Sequence, residues 1–180
     1  MVRTVVAVCF ALFLAIPALA QEDYPRIQTS MGYANLSFLD FGTGQKGHHS
    51  GFANSTGFNL TRSLGVENYM GIYSLGQGVT LVSDLFGGKA TYRAARIAPY
   101  ALAGIGVGYF TQSTSAGYGS TSSFATRYGA GVDIPISESL AWKVEVSRMS
   151  FHINLSADGR GPSWNGGTNF STGIVFTLSN

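Results

Sequence analysis

The chain has 180 residues, of which 11% are charged, 13% are aromatic and 24 are glycine. Eleven basic side chains stand against nine acidic ones, so there is no broad basic footprint for nucleic acid or for an acidic membrane surface. Aromatic and glycine richness with few charges excludes a disordered chain and points to many strands joined by tight turns.

Met1-Val-Arg3, an apolar run from Val5 to Ile16 and the ending Ala18-Leu-Ala20 form a secretory signal peptide, with cleavage expected after Ala20. The run is shorter than the ~18 apolar residues of a membrane-crossing helix. Cys9 lies inside it and leaves with it, so residues 21–180 form one domain without disulfides or cysteine-held metal. No later run reaches the length of a membrane helix. If the mature chain enters a membrane, it does so as strands.

Ile27 to Phe38 is the first strand, with Ile27, Thr29, Met31 and Tyr33 on one face and Gln28, Ser30, Gly32 and Ala34 on the other. Residues 41–50 are rich in Gly and polar side chains and read as a loop holding His48 and His49. Phe52, Asn54, Thr56, Phe58 and Leu60 share a face, a turn follows at 61–63, and Leu64, Val66, Asn68, Met70 and Ile72 share the next. After a loop at 74–78, Val79 to Tyr92 sets Phe86, Gly88, Ala90 and Tyr92 against Leu85, Gly87, Lys89 and Thr91. A turn at 93–96 leads to Ala98–Phe110, where Ala101, Ala103, Ile105, Val107 and Tyr109 oppose Gly104, Gly106 and Gly108.

Residues 112–122 read as a Ser/Thr/Gly loop, and Phe124–Ile134 follows with Tyr128, Ala130, Val132 and Ile134 together. A turn near Ser137-Glu-Ser139 returns to a strand from Leu140 to Phe151. Residues 152–167 are the longest predicted loop. Asn169–Leu178 closes the set, with Phe170, Thr172, Ile174, Phe176 and Leu178 on one face. An unpaired final strand would be an exposed edge, and closure onto the first strand removes it.

These are eight strands, each within reach of the ~9–11 residues that a tilted membrane strand needs. Short turns alternate with longer loops, so both termini are expected on the periplasmic side and the long loops outside. The charged residues Glu67, Lys89, Arg127, Asp133, Lys143 and Glu145 fall opposite the apolar series, beside Gly and Ser. Soluble barrels place the apolar face inside. Here the charges suit a narrow lumen filled by ion pairs, so the fold predicted is all-β, an eight-stranded antiparallel transmembrane β-barrel. Tyr33, Tyr92, Tyr100, Tyr109, Tyr128 and Trp142 are expected in the aromatic belts at the headgroup level.

Leu85-Phe-Gly-Gly-Lys-Ala-Thr-Tyr-Arg93 with Ile97-Ala-Pro-Tyr-Ala-Leu-Ala-Gly104 resembles the middle hairpin of small bacterial outer-membrane β-barrel proteins. Gly129-Ala-Gly-Val-Asp-Ile134 with Ser137-Glu-Ser-Leu-Ala-Trp-Lys-Val-Glu145 is similar to their next hairpin, and Phe170–Leu178 to their closing strand. The resemblance implies location in a Gram-negative cell envelope, contact with outer-membrane lipids and lipopolysaccharide, and insertion by the barrel assembly machinery. Such chains often end on an aromatic residue, whereas this one ends Leu178-Ser-Asn180, leaving Phe176 as the candidate insertion signal.

A non-enzymatic, monomeric barrel without cofactor or metal is expected, with a structural or surface-interaction role. Four other readings stand beside it. Ser150-Phe-His152-Ile-Asn154-Leu-Ser156 resembles the lipid A acyl-hydrolase barrels, in which a His and a Ser two residues later lie at the outer end of a late strand. A base and nucleophile must share a face within hydrogen-bond reach. Asn154 occupies that position here, and Ser156 is four residues from His152. His48-His49 points to opposite faces in extended chain and lacks a third metal ligand. Gly104-Ile-Gly-Val-Gly108 lies within a strand, without the helix that a dinucleotide loop requires. A small gated pore is the remaining reading of the lumen charges, because they could line an ion path.

Overall fold

The computed structural model describes residues 24–39, 45–94, 96–114, 117–153 and 163–179. The predicted signal peptide, Asn154 and Ser156 lie outside them. The eight expected strands are all present: β1 (Ile27–Leu39), β2 (Lys46–Asn59), β3 (Leu64–Ser74), β4 (Val79–Thr91), β5 (Ala98–Thr114), β6 (Gly117–Pro135), β7 (Leu140–Ile153) and β8 (Ser163–Ser179). Each pairs antiparallel with its chain neighbours, and β8 pairs with β1, so the sheet is a closed barrel with no edge.

The register fixes the barrel's shape. A walk across paired residues from Ile174 passes through Met31, Asn54, Met70, Asp84, Val107, Phe124 and His152, and returns to β8 at Trp164. The walk comes back ten residues from its start. Eight strands with that stagger tilt by about 40° and enclose a lumen just wide enough for side chains.

The alternation assigns the faces as expected. Met31, Phe52, Met70, Phe86, Ile105, Val146 and Phe170 project outward and are exposed, while Ser30, Ser55, Glu67, Arg127, Glu145 and Asn169 are buried inside. An outward apolar series over a charged interior is the arrangement of a barrel standing in lipid.

The connections at the two ends differ. At one end the chain turns within a few residues, with Leu60 and Ile136 N–H groups bonded to the carbonyls of Leu64 and Leu140. At the other end the strands run further than their composition indicated. Of the Ser/Thr-rich stretch predicted as a loop at 112–122, residues 112–114 and 117–122 are paired strand, with Gln112 opposite Gly119 and Thr111 opposite Ser120. Residues 46–50 and 163–167 likewise belong to β2 and β8. Ladder hydrogen bonds to an already ordered neighbour outweigh the weak loop preference of Ser, Thr and Gly. β6 has 19 residues, so this end of the wall stands beyond the ~9–11 residues that lipid covers. The hairpin at 75–78 is tight: Gly76, Gln77 and Gly78 all have positive φ (82°, 49° and 71°), and Leu75 N–H bonds Val79 O at 2.8 Å.

The candidate functional site in the lumen

Six charged side chains converge inside the barrel from four strands. Glu67 comes from β3, Lys89 from β4, Arg127 and Asp133 from β6, and Lys143 and Glu145 from β7. Glu67 is the hub: Oε1 lies 3.3 Å from an Arg127 Nη, and Oε2 lies 3.5 Å from Lys143 Nζ and 3.8 Å from Lys89 Nζ. Arg127 also pairs with Glu145, whose other oxygen is 3.5 Å from Lys143. Lys89 holds Asp133 at 3.2 Å. The Glu67–Arg127, Glu67–Lys143 and Lys89–Asp133 pairs cross the lumen, from β3 and β4 to β6 and β7, while Arg127–Glu145, Lys143–Glu145 and Lys89–Glu67 tie together residues of one strand or of neighbouring strands.

Three cations balance three carboxylates, which lets all six stay charged in a site away from bulk water. Neutral partners complete the cluster. Tyr100 donates to Glu145 at 3.0 Å and Lys143 donates to Ser55 at 3.1 Å. The Arg127 guanidinium lies 3.7 Å from the Tyr69 ring centroid, and Lys89 lies 3.9 Å from that of Tyr100. The space beside the cluster, lined by Gln28, Ser55, Asn59, Glu67, Lys89 and Lys143 among others, is about 10 Å³, room for one water.

Tyr100 was expected in an outer aromatic belt and is instead buried in the lumen. It shares the parity of Leu102, not of the outward Ala101 and Ala103, and its hydroxyl finds a carboxylate there. Tyr33, Tyr92, Tyr109, Tyr128 and Trp142 do project outward.

Toward the longer connections the interior changes character. Leu36, Phe38, Tyr73, Leu81, Phe110, Met149 and Phe151 pack into an apolar layer. The rings of Phe38 and Phe110 both meet Phe151 edge-on, with centroids 5.5 Å apart in each pair. Tyr73 joins the two layers, bonding Tyr69 and, at 3.0 Å, Asn169. Sequence reasoning missed this layer, whose one signal was the loss of alternation in stretches such as Leu36-Ser-Phe-Leu39. Glycines on the lumen face leave room for their neighbours. Gly108 makes room for a ring, since a Cβ there would fall 2.6 Å from Phe151.

The histidines are not in loops. His48 and His49 sit on β2, paired with Ser37 and Leu36. His48 lies 3.3 Å from Asn35 on the outer face, whereas His49 is buried with Nδ1 3.1 Å from Ser74 O. His152 is on β7 and faces outward, its ring 5.3 Å from that of Trp164, which also meets Phe124.

A closed eight-stranded barrel with an apolar exterior and a charged interior defines a transmembrane β-barrel. The chain belongs to the outer membrane protein beta-barrel domain family, which matches residues 6–176, and its place is the bacterial outer membrane. No curated protein matches it. Among solved structures it is similar to neisserial surface protein A, at 11% identity and a TM-score of 0.67, covering 84% of this chain and 96% of that one. The N-terminal barrel of Pseudomonas aeruginosa OprF follows at 15% and 0.54, covering 83% and 97%. Ail, the attachment invasion locus protein of Yersinia pestis, is similar at 18% and 0.52, over 83% and 97%. At these identities the likeness is one of fold.

Proposed function

We propose that the protein is a non-enzymatic outer-membrane barrel with a sealed lumen, serving a structural or surface-interaction role. The observation that carries this reading is the ion network from Glu67 to Arg127, Lys143 and Glu145, which bridges the lumen below the aromatic layer of Phe38, Phe110 and Phe151. An eight-stranded barrel has little interior beyond what side chains fill. The short turns lie at the end where β1 begins and β8 ends, and this supports placing both termini in the periplasm and the long hairpins outside. Outer-membrane lipids and lipopolysaccharide are then the neighbours of the wall, and the barrel assembly machinery its partner during insertion, with Phe176 as the candidate signal. The names of two fold relatives, a surface protein and an attachment invasion locus protein, agree with a surface role.

Conductance of the folded protein in planar bilayers tests the seal. No steady channel is expected, and a large, persistently open one would overturn the reading in favour of a pore. The hydrolase alternative gains no support from His152, whose outward ring packs on Trp164. Incubation with lipopolysaccharide is expected to release no fatty acid. Release that disappears in His152→Ala would make the protein an enzyme.

A further inference from the structure

The registers bring four outward polar side chains to one level of the tilted wall: Asn35 on β1, Asp84 on β4, Thr126 on β6 and Arg148 on β7. Between that level and the short turns no described outward side chain is charged. Ionisable groups are costly within lipid, so the level bounds the stretch that hydrocarbon covers. Asp84 takes the Asn68 amide at 2.7 Å. Arg148 has no such match, because the outward side chains flanking it are Tyr128, Thr168, Val146 and Ser150, none of them acidic. Its guanidinium leans over β8, where a Cβ on Gly166 would fall 3.1 Å from an Arg148 Nη and 2.7 Å from Ser150 Oγ. Thr126 stands opposite Ser150 on β6. Beyond this polar patch Phe124, His152 and Trp164 form a row across the same three strands. The Phe124 and Trp164 rings meet edge to face with centroids 5.9 Å apart, and they remain 48% and 55% exposed. His152 follows Arg148 by four residues on a tilted strand, which sets it ~10 Å farther out. Ring faces at that height meet headgroups and not acyl chains.

We propose that this outward patch of β6, β7 and β8 binds the phosphorylated sugar headgroup of an outer-leaflet glycolipid, with Arg148 on the phosphate and the Trp164 row against the sugar. The patch meets that leaflet only if the long hairpins face outside, as proposed above. A guanidinium forks onto two phosphate oxygens in a geometry that an ammonium lacks. The Ser150 and Thr126 hydroxyls add donors beside it. A sugar ring presents C–H hydrogens, which suit the electron-rich face of an aromatic ring. Below the patch the same strands expose Tyr128, Val146 and Phe170, an apolar path for the acyl chains. A glycerophospholipid would satisfy Arg148 but leave the aromatic row without its partner, and this favours the sugar-bearing lipid.

The test uses the full chain, expressed into the outer membrane and purified in detergent, with lipid binding read by native mass spectrometry. The probes are lipid A, dephosphorylated lipid A and phosphatidylglycerol. Dephosphorylated lipid A should bind about tenfold more weakly than lipid A, the scale of one charge-assisted contact. Phosphatidylglycerol keeps a phosphate without the sugar and should bind about threefold more weakly. Arg148→Gln should lose about tenfold on lipid A, and Arg148→Lys, which keeps the charge without the fork, should fall between. Trp164→Leu should lose about threefold on lipid A and leave phosphatidylglycerol unchanged. Lys46→Gln removes a charge at the same end of the barrel and should stay within about twofold of the parent. Heat-modifiable gel migration confirms that each variant is folded. Equal binding of the two forms of lipid A, equal losses from Lys46→Gln and Arg148→Gln, or phosphatidylglycerol binding as tightly as lipid A would each overturn the proposal. A Cys9→Ser chain carrying Ser120→Cys should be labelled on intact cells by a membrane-impermeant maleimide. Absence of labelling would overturn the outside placement of the hairpins and the site with it. Labelling joined to any of the adverse binding results would overturn the site alone.

Discussion

Arg127→Met is the sharpest probe of the lumen. It removes the guanidinium that Glu67 holds at 3.3 Å and that Glu145 also binds, together with the stack on Tyr69. The two carboxylates keep other partners: Glu67 retains Lys143 and Lys89, and Glu145 retains Lys143 and the Tyr100 hydroxyl. Three carboxylates would then face two cations, leaving one buried negative charge without balance. Removing one member of a buried pair costs about 3–5 kcal/mol, against at most about 1 kcal/mol for an exposed pair. The lost cation–π contact is part of that cost. Arg127→Met with Glu145→Gln restores neutrality, so the double variant should recover about 2 kcal/mol of the loss.

Urea unfolding in detergent or lipid vesicles, followed by Trp142 and Trp164 fluorescence and by migration of the unboiled protein, measures both variants. A loss below about 1 kcal/mol for Arg127→Met would refute the reasoning. It would mean that water reaches the pairs and screens them, so the lumen is wet and not filled. A double variant no better than the single one would remove charge balance as the cause.

The same unfolding assay reads the other contacts. Tyr100→Phe deletes a hydrogen bond to a carboxylate and should cost about 1.5–3 kcal/mol, whereas Tyr128→Phe on the outer face should change stability by no more than about 0.5 kcal/mol. Equal effects would contradict the lumen placement of Tyr100. Gly108→Ala pushes a methyl toward the Phe151 ring and should cost about 1–3 kcal/mol by overpacking. In a Phe151→Ala background that extra cost should vanish, and simple additivity would show that the two do not touch.

The wall was legible in the sequence because membrane strands impose a strict period of two. Met31, Phe52, Phe86 and Phe170 could be placed outward, and Glu67, Arg127 and Glu145 inward, from parity alone. Strand ends were less legible. Ser120, Thr121 and Ser122 carry no apolar signal, and what orders them is the ladder with Tyr109, Phe110 and Thr111. Tyr100 was misplaced because its residue type suggested an interface while its parity with Leu102 pointed inward. The apolar layer was hidden for a related reason. Where Leu36, Phe38, Leu81 and Phe151 line the lumen, both faces of the strand are apolar and alternation gives no contrast. Asp84 escaped notice because a carboxylate on the outer face contradicts the rule that located the others.

The two lumen layers differ in chemistry and stand in series, and this leads to a further prediction. A solute entering the lumen from the long-hairpin end meets Phe38, Phe110 and Phe151 before the ion network of Glu67, Arg127, Lys143 and Glu145. A rearranged ion network would therefore still lie under an apolar constriction that excludes ions by staying dry. Conversely, truncating a ring opens the upper layer onto a network whose pairs still cross the lumen. If each layer seals independently, Phe151→Ala alone and Arg127→Met alone should both leave a bilayer silent. The combined variant should show conductance events, small because the wall still has eight strands. Single-channel recording on protein that retains heat-modifiable migration distinguishes these cases. Steady conductance from Arg127→Met alone, equal to that of the double variant, would show that the aromatic layer is no barrier and that the charges carry the whole seal.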